Sequence, residues 1–399
     1  MGADHNHEAA DSLVARPIRR VLWVCVGLLA VLTGVALVLL WPTEPTPSNP
    51  VGEPTAGRVV ATAECEPVTD SCLNVKVEVL EGPYAGETIR TDTFVSDSSP
   101  AMSVGTEVWL SESSPGSGDF GLSDINRESS LVWLAVIFAA VVILFARWKG
   151  LAALAGLASS LVLLIWFVLP AILLGANPVV VAAVGSAAIA IVAMGLAHGF
   201  HVGTAVAIVG TVLALILTLL LAWVFTGFTS LTGMGDENAY FLDLQGLNFD
   251  LRGLFLAGVV IGALGVLDDV TITQTAAVAE VKRAAPHTAF RELFGSGMRV
   301  GRDHVAATVN TLVLAYAGAA LPTFILLTMS DVGLLHSMNA EILAQEIVRG
   351  LVGGLGIIAA VPITTALMAA VLSERHPHEQ ATVDVREPKE QLAEDFWNS

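Results

Sequence analysis

The residues best placed to do chemistry in this sequence are the few polar ones set inside long apolar runs. Asp268 and Asp269 lie in the stretch GVVIGALGVLDDVTIT, residues 258–273. An ionised side chain in a membrane span costs about 2.5–3.5 kcal/mol on insertion scales, so each one requires a reason. Adjacent carboxylates on a helix point about 100° apart, so one of the two is expected to face the bundle interior. There it can hold a cation or a proton, or it can act as a structural acceptor for Thr271 or Asn310. Asn310, Thr311 and Tyr316 follow the leader Arg302-Asp303-His304 in a second apolar run. Asn310 is expected to complete a polar seam with Asp269. Glu346 and Arg349 are three residues apart, the spacing of an ion pair on one helical face. Pro362 removes a backbone N–H and frees a carbonyl just before Thr364 and Thr365, which join the candidates for binding a substrate or ion.

Other arrangements are weaker. His198 and His201 share an i,i+3 spacing but lack a third ligand nearby in sequence, so no metal site is expected. No nucleotide-binding loop or Ser-His-Asp pattern occurs, and an aspartyl protease would need carboxylates meeting from two helices, whereas Asp303 and Asp331 lie at span ends. The expectation is therefore a non-enzyme without a catalytic residue or cofactor. Gly258 with Gly262, and Gly350 with Gly354, form GxxxG pairs suited to close helix packing.

The elements that must position these residues are membrane helices. The chain is 54% hydrophobic and 14% charged over 399 residues, against roughly 25% charged in ordinary globular domains. Apolar stretches such as 131–146, 179–197 and 202–228 show no recurring polar face. The arginines Arg16, Arg19 and Arg20 precede the run 21–40, which is too long for a signal-peptide core of about 7–15 residues and reads as an uncleaved signal anchor. Seven further spans are expected at 131–146, 151–174, 178–197, 202–228, 251–280, 303–328 and 346–372, a seven-helix membrane domain over 131–372. Placing Lys and Arg clusters in the cytoplasm puts both termini, the tail 1–20 and the acidic tail 373–399 inside, and residues 41–128 outside, at a bacterial cell membrane. Residues 290–298 read as an amphipathic piece on the inner surface.

Between anchor and bundle, 41–56 reads as a linker and 57–128 as a small extracytoplasmic β domain, a barrel or sandwich. Four strands are expected, near 57–63, 73–80, 88–94 and 106–110. Cys65 and Cys72 flank a short loop there, and an oxidising compartment favours a disulfide between them. The net charge of −18 gathers in solvated segments and excludes a nucleic-acid partner. The expected partners are the lipid bilayer, an ion or small solute, and further copies of the chain.

Three motifs together, GVLDDVTIT, GRDHVAATVNTLVLAYAGAALP and EIVRGLVGGLGIIAAVPITTAL, resemble the YibE/F-like family of bacterial multipass membrane proteins. The resemblance runs over about 57–372 and is most specific at 310–322. Its pattern matches Asp269-Val270, Asn310, Tyr316, Glu346 and 362–365, and the anchor-plus-ectodomain form is similar to actinobacterial members. It implies the boundaries of a membrane domain rather than a reaction. Two functions follow as expectations. One is a transporter or permease-like protein moving an ion or small solute past an intramembrane carboxylate. The other is a scaffold or signalling partner whose ectodomain binds an extracytoplasmic protein or ligand.

Overall fold

A computed structural model describes residues 14–45, 54–64, 72–94, 99–100, 102–114, 116–235, 237–244, 250–329 and 333–373. It divides into two compact units, residues 1–40 with 177–399, and residues 41–176.

The second unit opens with β1 (Thr55–Glu64), β2 (Cys72–Val79), β3 (Thr88–Phe94), β4 (Glu107–Glu112) and β5 (Phe120–Ile125). They form one antiparallel sheet in the order β3-β2-β1-β4-β5. Alternation sets its faces: Val75, Val77 and Val79 point inward with Val59, Val108 and Leu110, while Asn74, Lys76 and Glu78 point out. Register shifts at Val59/Ala61 and Trp109/Leu110 bend the strands, and the outer strands β3 and β5 come near each other. Gly57 sits where a Cβ would lie 2.6 Å from Val77 and 2.9 Å from Leu110, so the core closes on bare backbone there. The expected barrel or sandwich is thus a single curled sheet. It has five strands rather than four, because Phe120–Ile125 reads FGLSDI and lacks the period-two signal. Cys65 lies outside the described residues, and with it the Cys65–Cys72 pairing.

The same unit carries α2 (Glu128–Ala146), then α3 (Trp148–Leu163), a π-helical turn (Leu164–Val168) and α4 (Leu169–Leu173) as one continuous apolar rod. The other unit holds α1 (Arg16–Leu40), α5 (Pro178–His198), α6 (Val202–Phe228), the short α7 (Glu237–Leu244), α8 (Leu251–Ala284), α9 (Phe290–Ala319), α10 (Leu321–Met329), the short α11 (Leu334–Met338) and α12 (Glu341–Ser373). Seven of these helices or rods are long and apolar enough to cross a membrane, and α9 with α10 forms an eighth, bent pair. The protein is a multipass membrane protein.

Three features differ from expectation. Residues 290–298 are not a separate surface helix: they open α9, with Leu293 fully buried and Gly297 and Gly301 pressed on α8 and α12. The span expected at 303–328 breaks at Ala320 with a 59° bend, because Pro322 cannot donate to the preceding turn and its ring crowds it. His198 and His201 do not share a helical face, since Gly199 between them takes φ +78° and ends α5. His201 instead caps α6, its Nδ1 accepting the Thr204 N–H at 3.1 Å.

At the end of the bundle away from Lys282 and Arg283, one carboxylate ties a loop to a helix. Glu341 Oε1 accepts from Thr232 N (2.7 Å), Thr232 Oγ1 (2.8 Å), Gly233 N (2.9 Å) and Gln345 Nε2 (3.2 Å). Gly233, at φ +92°, lies against the Leu251 carbonyl where no Cβ fits. Glu341→Ala removes all four acceptor contacts at once. Limited proteolysis within 229–235 is expected to quicken by about tenfold, on the order of 1 kcal/mol or more of lost local protection, with the helical circular dichroism unchanged.

Candidate functional site

The polar residues of the bundle gather in two places. In the first, Glu346 and Arg349 occupy one face of α12 and pair Oε1 to Nη1, each side chain about a quarter exposed (24% and 26%). The guanidinium carbon stands 5.5 Å from the centroid of the Phe255 ring on α8 and 5.9 Å from that of Tyr316 on α9. Such ring faces attract a cation. Tyr316 reaches this position because Gly262 on α8 has no side chain: a Cβ there would lie 2.5 Å from the Tyr316 hydroxyl. Gly350 lies under the same ring, 3.8 Å away by the same measure. The Arg349 Nε is closed off from solvent and has no acceptor among the described residues.

Beside this cluster lies a cavity of about 160 Å³, lined by Tyr316, Glu346, Gly350 and apolar side chains including Phe324. The break at Ala320 is what brings Phe324 of α10 to its wall. A carboxylate on an apolar cavity wall can hold a cation or exchange a proton, and the neighbouring guanidinium can orient an anionic group.

The second place lies towards Lys282 and Arg283. Gln274, buried on α8, donates from Nε2 to the Gly297 carbonyl (2.9 Å) and to Thr365 Oγ1 (2.6 Å). Thr365 donates its own hydroxyl to the Val361 carbonyl at 2.6 Å, one turn back on the same helix. A turn away, Thr211 and Thr271 share a hydrogen bond of 2.7 Å between α6 and α8. Thr364 sits over Gly210, and its hydroxyl is buried without a partner among the described residues. These contacts lock α6, α8, α9 and α12 together.

Of the sequence candidates, the structure thus brings together Tyr316, Glu346, Arg349, Gly262 and Gly350. Thr364 and Thr365 belong to the second knot. Gly354 packs near Val309 on α9, while nothing approaches Gly258. Thr311 is exposed and bonds the Ala307 carbonyl of its own helix at 3.0 Å. Asp268 is partly buried, and its Oδ1 is sealed from solvent without a partner among the described residues. The expected seam between Asp269 and Asn310 does not form. Both are exposed: Asn310 stands about 200° around α9 from buried Leu312, and Thr271 bonds Thr211 and the Asp268 backbone rather than a carboxylate. Gln274 went unseen in the sequence because it is uncharged, although an amide inside an apolar run is itself a signal.

A family model described as YibE/F-like protein matches residues 134–374. The chain belongs to the YibE/F-like family. No curated protein and no solved structure matches it. The match begins inside α2, not at residue 57, so α1 and the curled sheet lie outside the YibE/F-like region, and both polar clusters lie within it. Among the described residues, no group of three His, Cys, Asp or Glu could hold a metal ion.

Proposed function

We propose that the protein is a transporter or permease that moves an ion or small solute past an intramembrane carboxylate, and that Glu346 is that carboxylate. The observation that carries this reading is Glu346, paired with Arg349, at the wall of a cavity beside a broken span. Non-helical backbone at membrane depth is tolerated where it borders protein or a cavity, and broken spans supply such borders. In this reading the arginines in the first turns of α1 hold it as a signal anchor with both termini in the cytoplasm, the sheet stands outside the cell membrane, and oxidation there joins Cys65 to Cys72.

Flux of candidate ions and small solutes into proteoliposomes tests the proposal. Glu346→Gln is expected to cut the rate at least about tenfold, since a hydrogen bond to a charged group is worth roughly 1.5 kcal/mol or more, while the protein still purifies as a folded species. Unchanged flux in that variant would remove Glu346 from the pathway. The scaffold reading is favoured by one observation, that the sheet carries its own valine core. Capture of a defined extracytoplasmic partner by the full chain, together with absence of flux for every solute tried, would replace transport by that reading.

A further inference from the structure

We infer that a second copy of this chain docks along the outward faces of α8 and α9, so that Asn310 of one copy hydrogen-bonds Asp269 of the other. The inference starts from two polar groups placed where lipid would otherwise lie. Asp269 is the nineteenth residue of the 34-residue helix α8, about 27 Å along it at 1.5 Å per residue. It is exposed, and its carboxylate has no hydrogen-bond partner among the described residues. Asn310 on α9 is likewise exposed, with no side-chain hydrogen bond among the described residues.

Their depths agree. The contacts of Gly262 with Tyr316 and of Gly301 with Gln274 fix α8 and α9 antiparallel, which puts Asn310 within about one turn of the level of Asp269. They cannot meet within one chain because Asn310 faces away from α8. A carboxylate only accepts and an amide offers two N–H donors, so a second copy supplies each group with the partner it lacks. A symmetric assembly in a membrane repeats every residue at the same depth, which meets the geometric condition. The face is also shaped for approach: Gly258, Gly265, Thr273 and Ala276 lie exposed on the Asp269 side of α8, and the first two have nothing within 4 Å. Residues 129–146 of α2 and 150–173 of the α3–α4 rod carry no charged or amide side chain, and Ser159 and Ser160 both spend their hydroxyls on the Gly156 carbonyl.

The test uses the full chain with Cys25→Ser in native membranes, co-expressing differently tagged Thr273→Cys and Ala306→Cys forms and adding a short bismaleimide. The expected result is a mixed-tag dimer, reduced about fivefold by Asn310→Leu, the loss of one interhelical hydrogen bond. Monomer alone would overturn the inference. So would labelling of Cys at 273 by a membrane-impermeant maleimide, which marks a water-filled path, or its cross-linking within one chain to a Ser159→Cys partner.

Discussion

Arg349→Met is expected to destabilise the bundle by about 2–4 kcal/mol, whereas the double variant Glu346→Gln/Arg349→Met loses far less. Deleting the guanidinium strands the Glu346 carboxylate between α9 and α12 with its cation gone. The range lies below that of a fully sequestered pair because each side chain keeps about a quarter of its exposure (24% and 26%). Methionine retains contact with the Phe255 and Tyr316 rings, so the loss isolates charge rather than volume. In the double variant no charge is left unpaired, and the cavity wall stays closed. Thermal unfolding of the four members of the cycle in detergent, followed by tryptophan fluorescence, gives the coupling. Equal losses in Arg349→Met and the double variant would show that the pair does not hold the site. The double variant also separates two roles: if Glu346 carries the solute, it should be well folded and inactive in flux.

That pair was legible in the sequence, because ionisable residues inside apolar runs announce themselves and the i,i+3 spacing is specific. The membrane helices were legible for the same reason, since 20 or so consecutive apolar residues have few other uses. What the sequence withheld was helical phase. Asp269 and Asn310 have the composition of an interior seam, yet which side of a span faces protein depends on its neighbours, and an apolar run gives no amphipathic contrast to read. The cavity was hidden as well, because it depends on a break at Ala320 that Pro322 sets from two residues downstream. Gln274 was missed on other grounds. Its worth arises from long-range partners, Gly297 and Thr365, whose approach no local spacing predicts.

That approach yields the other large effect. Gly301→Val is expected to cost about 2–6 kcal/mol, the sum of overpacking at roughly 1–3 kcal/mol and the two displaced hydrogen bonds of Gln274 at about 0.5–1.5 kcal/mol each. Even a bare Cβ at 301 would press on Val361 Cγ1 and stand 2.9 Å from Gln274 Oε1. Val361 lies on α12 beside Pro362, so it cannot retreat without moving a helix that also holds Thr365. Gln274 is equally confined, since its amide is the bridge to the Gly297 carbonyl. Gly318→Ala on the same helix is the control: nothing lies within 4 Å of it, and alanine there is expected to be neutral or to stabilise by up to about 1 kcal/mol. Removing the obstruction with Val361→Ala in the Gly301→Ala background should recover part of the loss in unfolding temperature. Failure to recover, with Gly318→Ala equally damaging, would mean that glycine at 301 serves backbone flexibility rather than the close approach of α9 to α8 and α12.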